Sequence, residues 1–173
     1  MTAEAAARVL IIDDEVDHGV ALADALERLP CHCDVVASGR EGLDRLTEAN
    51  YDLVITDLVM NEVDGMEVLV QAKKHHPDVE VILVTGYATV ENAVAAMQKG
   101  AATYLRKPVN LEELRAVVRN ALEKQHLRRD NLALRQQLDQ RYGFESIIGN
   151  NPRMLRALET LRQIAPTNAT VLI

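Results

Sequence analysis

No apolar run in this 173-residue sequence is long enough to span a bilayer, and the N-terminus, MTAEAAARV, carries no secretory hydrophobic region. A soluble, cytoplasmic protein with no membrane partner is expected. Cysteine is scarce: Cys31 and Cys33 flank His32, and on a strand their sulfurs would share one face. A zinc site would need a second ligand pair, which the sequence lacks, so these read as ordinary strand residues. Clustered basic charge is missing too. Residues 1–122 hold 11 Lys/Arg against 21 Asp/Glu, a balance of −10, and residues 123–173 hold 8 against 5, a balance of +3. An acidic domain followed by a tail without a basic patch is a poor nucleic-acid binder, so no nucleic acid is expected on this chain.

What is present is a globular composition, 48% apolar, with length for one good core and a second small piece. Val9–Ile12 reads as a first strand that stops at Asp13-Asp14-Glu15. Leu22, Ala25, Leu26 and Leu29 then recur at helical spacing until Pro30. A second strand is expected over Cys33–Ala37, followed by a helix with Leu43 and Leu46 inward. Leu53-Val54-Ile55, short and rich in β-branched residues, reads as a buried parallel strand ending at Thr56-Asp57. Met66, Leu69 and Ala72 mark a third helix, and Val79–Val84 a fourth strand. Val90, Ala93, Val94 and Met97 mark a fourth helix closed by Gly100. Ala101–Leu105 is the fifth strand, and Asn110 with Glu113 is a capping-box pattern that opens the next helix. Five strands alternating with helices through residue 122 predict a parallel α/β sheet with right-handed crossovers. The flavodoxin-like order 2-1-3-4-5 fits best, and it would bring Asp13, Asp14 and Asp57 into one crevice at the switch point.

Asp57 alone could be a surface acid that ends a strand. Three carboxylates at one place, however, repel one another unless a cation intervenes, and hard oxygen ligands suit Mg²⁺. The fourth strand ends in Thr85-Gly86 and the fifth in Arg106-Lys107-Pro108, adding a hydroxyl and an ammonium at the same rim. Acids, hydroxyl and lysine together are what phosphoryl transfer to a carboxylate needs, with Asp57 as nucleophile.

With IIDDE, ITDLVM…DG, VTGYA and LRKP in place, residues 8–122 resemble a two-component response-regulator receiver domain. The resemblance implies phosphorylation of Asp57 by a sensor histidine kinase. It implies Mg²⁺ held by Asp14, Asp57 and the backbone carbonyl of Val59, with Asp13 acting largely through water. Lys107 would contact the phosphoryl group, Thr85 would swing toward it, and Tyr104 would follow as the aromatic switch. The Lys107–Pro108 peptide would be cis. One departure is Asn61, which follows Met60 where such loops usually carry proline.

Beyond residue 122 the helical pattern continues. Leu127, Asn131, Leu134 and Leu138 are spaced as a coiled-coil seam, expected to pair two copies of the chain. The following YGFESIIGNNPRMLRALETLRQIAPTNATVLI resembles the opening of the AAA+ domain of sigma-54-dependent, nitrogen-regulator-C-like activators. Gly149, Pro152, Met154 and the run from Ala165 to Ile173 carry that likeness. No Walker A motif is present, so no ATPase motor is expected in this chain. The expected organisation is a receiver over 1–122, a linker helix over 123–142 and an AAA+ fragment over 143–173. The longer protein would contact sigma-54 RNA polymerase and DNA. Two other classes share the sheet. A haloacid-dehalogenase-type phosphohydrolase needs a second Asp two residues after the first, where Val59 stands. A nucleotide or flavin module wants glycines after the first strand, where Asp13-Asp14-Glu15 would repel a phosphate.

Overall fold

Val9 and Ile11 point to one side of a sheet and Leu10 and Ile12 to the other, and both sides are covered. That is why the strands read as continuous apolar runs rather than alternating ones. A computed structural model describes residues 6–142 and 151–164. In chain order the elements are β1 (Ala7–Ile12), α1 (Val16–Leu26), β2 (Cys31–Val36), α2 (Gly39–Glu48), β3 (Leu53–Asp57) and α3 (Gly65–His75). Then follow β4 (Glu80–Thr85), α4 (Val90–Gln98), β5 (Thr103–Arg106), α5 (Leu111–Tyr142) and α6 (Pro152–Ile164). The five strands are parallel in the expected order β2-β1-β3-β4-β5.

Leu10, Ile12, Val54 and Leu83 pack with Leu46, Leu69, Ala72 and Ala96 under α2, α3 and α4. On the opposite face Val9, Ile11, Ile55, Ile82 and Val84 pack with Leu22, Leu26, Leu114 and Val118 under α1 and α5. Cys31 and Cys33 share that second face as free thiols, and burial pushes the pKa of Cys33 up to about 12. The helices start where a short polar side chain takes an early amide. Ser38, Asp64, Thr89 and Asn110 accept from Glu41, Glu67, Asn92 and Glu112 N–H at 3.2, 2.7, 3.2 and 2.9 Å. Each such cap contributes about 1 kcal/mol. Gly100, with φ +93, takes the left-handed position after α4, as its placement in the sequence predicts.

Several expectations shift. The first helix stops at Leu26, where Leu29 N–H turns back to the Leu26 carbonyl at 2.8 Å, four residues before Pro30. The second strand begins at Cys31, pairing with Ala7, and the fourth extends through Thr85. On α4 only Ala96 is buried: Val90 is 75% exposed, and Val94 and Met97 are half exposed. The helical spacing of those residues is right, but they form an outward ridge instead of a core face.

The compact unit that holds the sheet extends to Arg128. On α5 the sheet-facing row is Leu114, Val118, Ala121 and Gln125, while Leu111 stands largely exposed. At the underside of the sheet the buried Glu80 carboxylate takes Lys124 Nζ at 2.9 Å and Arg128 Nη1 at 3.1 Å. In the second unit Leu132 and Leu134 are more than half exposed, as is Leu127 at the end of the first. The Leu138 side chain lies outside the described residues, as do Gly149 and the Ala165–Ile173 run. Pro152 opens α6, with Asn151 Oδ1 accepting Arg153 N–H at 2.9 Å. Among the described residues no helix is long and apolar enough to cross a membrane.

Candidate functional site

Parallel strands end together, so the carboxyl ends of β1, β3, β4 and β5 place their terminal polar residues on one rim. Asp57 is the last residue of β3, and Asp13 follows β1 with its N–H still in the ladder, on the Val36 carbonyl at 3.2 Å. Both are buried, whereas Asp14 is exposed. One carboxylate oxygen from each of Asp13, Asp14 and Asp57 lies within 4.8 Å of the others. Lys107, just past β5, is the cation of the cluster: its Nζ donates to Asp13 Oδ2 at 3.0 Å and to Asp57 Oδ2. Burial works against that ammonium, but the hydrogen bonds to Asp57 and Asp13 outweigh it and raise the Lys107 pKa. Lys107 therefore stays charged through the neutral range. The Lys107–Pro108 peptide is cis, and the Lys107 N–H is held by the Thr85 carbonyl at 2.7 Å.

The remaining oxygens show where a metal could enter. Asp57 Oδ1 accepts from Val59 N–H at 3.0 Å and Asp13 Oδ1 from Glu15 N–H at 3.0 Å. No hydrogen bond or ion pair to Asp14 is found among the described residues. Hard carboxylate oxygens, one of them at the solvent edge where bound waters can remain, fit Mg²⁺ in the way its coordination requires. The residues present therefore fit the ion that the sequence implies. The Val59 side chain itself points outward, half exposed, so its part in such a site would be played by the backbone.

Thr85 ends β4 fully buried, and its Oγ1 accepts from Tyr87 N–H at 3.2 Å. Tyr104, on β5, packs its ring against the α3/α4 face of the core. Its hydroxyl is buried and makes no full hydrogen bond. Burial pushes the Tyr104 pKa up, while the Thr89 backbone and the Thr85 hydroxyl lie close enough to oppose the push. Between Asp57 and α3 the loop turns through Glu62 at φ +64, with Val63 N–H on the Asn61 carbonyl at 2.8 Å. Asn61, which stands where the resemblance implies proline, lies in this turn. A Cβ on Gly65 would lie 2.1 Å from the Asp57 carbonyl oxygen, so glycine is what lets α3 close onto the Asp57 backbone.

Asp13, Asp14, Asp57, Val59, Thr85 and Lys107 therefore lie on or beside this rim, with Tyr104 within β5. The sequence reading missed His18, whose Nδ1 is 2.5 Å from Asp13 Oδ2. Its only signal is a histidine one helical turn beyond an acid pair.

A family model for the response regulator receiver domain matches residues 9–119. The regulatory protein AtoC of Escherichia coli K12 is 36% identical over 168 residues, which is 96% of this chain and 36% of that protein. The chain thus spans little more than a third of such a relative's length. Among solved structures, a CheY-like receiver domain from Methanospirillum hungatei JF-1 matches with a TM-score of 0.67 at 31% identity, covering 70% of this chain and 98% of that one. The beryllofluoride-activated NtrC4 receiver domain dimer matches with a TM-score of 0.65 at 32% identity, covering 68% and 98%. With the fold, the rim of acids and the family match in agreement, the chain belongs to the response regulator receiver family.

Proposed function

We propose that this chain is the phosphorylatable switch of a two-component system, with Asp57 as phosphoacceptor. The observation that carries the reading is the Lys107 ammonium bridging Asp13 and Asp57, with Asp14 in the same cluster. A sensor histidine kinase presents a phosphohistidine. An Asp57 carboxylate oxygen attacks the phosphorus, the new P–O bond forms as the P–N bond breaks, and the electron pair returns to the imidazole. Asp14, Asp57 and the Val59 carbonyl would hold Mg²⁺, with Asp13 acting through water, and the ion would offset charge on the phosphoryl oxygens. Lys107 moves its ammonium from the Asp57 carboxylate to the phosphoryl group. The Thr85 hydroxyl donates to the same group, and Tyr104 follows into the space that Thr85 leaves. The chain is a switch, not a turnover enzyme: Val59 occupies the position where a haloacid-dehalogenase-type phosphohydrolase carries its acid/base Asp.

In the longer protein this receiver controls a sigma-54-dependent transcription activator that contacts sigma-54 RNA polymerase and DNA. The AtoC match supports this, because it runs through 96% of the chain and so extends past residue 142. Residues 1–122 are the receiver, 123–142 the linker helix and 143–173 the opening of the AAA+ domain. A homodimer forms through the exposed leucines of the linker, and a receiver dimer is on record for NtrC4.

Incubation with acetyl phosphate and Mg²⁺ should label the wild-type chain on Asp57, and both chelator and Asp57→Ala should abolish the label. Undiminished labelling of Asp57→Ala would sink the assignment.

A further inference from the structure

Asp13 is 1% exposed, and both of its oxygens are engaged. Oδ1 has the Glu15 N–H, while Oδ2 has two partners, Lys107 Nζ at 3.0 Å and His18 Nδ1 at 2.5 Å. A carboxylate has only acceptors to offer, so the proton in the short contact belongs to the imidazole. His18 Nδ1 is thus the donor in this contact, with Nε2 unpartnered among the described residues. His18 is also absent from the group of ligand atoms that lie within 4.8 Å of one another, so it touches a cation-facing acid without facing the cation.

The double engagement of Oδ2 matters once Lys107 is needed elsewhere. When the ammonium turns to a phosphoryl group on Asp57, Oδ2 loses a charged partner inside the protein. A buried carboxylate left in that state is costly, and it would rotate toward whatever donor or water it could reach. His18 is the partner that stays. It comes from α1, packed on the opposite face of the sheet from α3 and α4, and so does not depend on how Lys107 or Thr85 move.

We propose that His18 is a positioning residue for the cation site: its Nδ1–H pins Asp13 Oδ2, keeping the acid aimed at the metal after Lys107 departs. The inference rests on the receiver reading given above. Donors behind a direct metal ligand typically contribute about tenfold to a hundredfold in metal affinity, and with Asp13 acting through water the low end of that range applies. His18 also lines an open cavity of about 520 Å³ with Glu15, Leu22 and Val109, so truncating it leaves no sealed void and the fold should survive.

The test uses the full chain. Mn²⁺ binding followed by electron paramagnetic resonance should weaken about tenfold in His18→Ala. His18→Asn, whose amide N–H can stand in for Nδ1–H, should recover most of the loss. With acetyl phosphate, the Mg²⁺ concentration for half-maximal labelling should rise by the same factor, more than the saturated rate falls. Imidazole nitrogen spectra of the wild type should report a proton on His18 Nδ1. An Nδ1 without a proton, or unchanged Mn²⁺ affinity in His18→Ala, overturns the proposal. A wild-type chain that binds no divalent cation and takes no label at Asp57 would instead overturn the receiver reading and this inference with it.

Discussion

Asp57 is held on both oxygens before any phosphoryl group arrives, by the Val59 N–H on one side and the Lys107 ammonium on the other. In the phosphorylation proposed above, attack by Asp57 would require Lys107 to exchange one anionic partner for another. How long the acyl phosphate lasts is a separate matter, because hydrolysis needs a water placed in line behind the phosphorus. Val59, two residues after Asp57, carries a half-exposed side chain with no hydrogen-bonding group to hold such a water. Slow self-dephosphorylation is the expected outcome, with Val59→Asn shortening the lifetime severalfold in a quenched time course. An unchanged or longer lifetime would refute this role for Val59. The two cysteines have no part in the chemistry: burial raises both thiol pKa values, which leaves little thiolate at neutral pH.

Strand β4 carries Thr85 at its site end and Glu80 at the other. Glu80 is buried, yet its cations, Lys124 and Arg128, are half exposed and flank Gln125, the last sheet-facing residue of α5. The contact ties the start of the linker to the strand whose far end bears the hydroxyl of the proposed switch. Glu80→Gln keeps the shape but removes the charge from two charge-assisted hydrogen bonds. Because both cations can hydrate in the variant, the expected loss is about 1–2 kcal/mol. It should appear as a lower urea midpoint at unchanged slope, with faster amide exchange confined to the last receiver turns of α5. A midpoint equal to wild type would show that the pair does not anchor the helix. The α4 ridge of Val90, Val94 and Met97 shows the converse: a helical apolar pattern marks the element without saying that the core receives it.

Across the whole molecule, α5 passes from the sheet-bearing unit into the second unit with Leu127, Leu132 and Leu134 more than half exposed. Leu127 and Leu134, seven residues apart with Asn131 between them, share one helical stripe that a parallel pair would bury, while Leu132 falls outside it. Asn131 in the seam favours two strands in register. Light scattering should report a dimer for the full chain. Removal of residues 129–173 should weaken it while sparing the Glu80 contacts, and Asn131→Leu should keep association with looser stoichiometry. A monomer at all concentrations, phosphorylated or not, would rule the seam out.

The sequence by itself determined the α/β class, the five strands and the rim of acids, because strand runs covered on both faces, caps and strand-end polar residues are local signals. Asp13, Asp14, Asp57, Thr85 and Lys107 were all legible this way, since each lies within two residues of the end of an apolar run. Strand boundaries moved by one or two residues where pairing partners, such as Ala7 with Cys31, set the ends. Only the tertiary structure decided which helical faces are buried. It buried Ala96 and left Val94 in solvent, and on α5 it buried Gln125 while turning Leu111 outward. The reason is that the depth of each groove depends on neighbouring elements, which no single window contains. The same holds for His18 and for Glu80 with Arg128. His18 meets Asp13 across the β1–α1 turn, a contact set by how that turn folds and by no motif. Glu80 and Arg128 are 48 residues apart and meet only once α5 packs on the sheet.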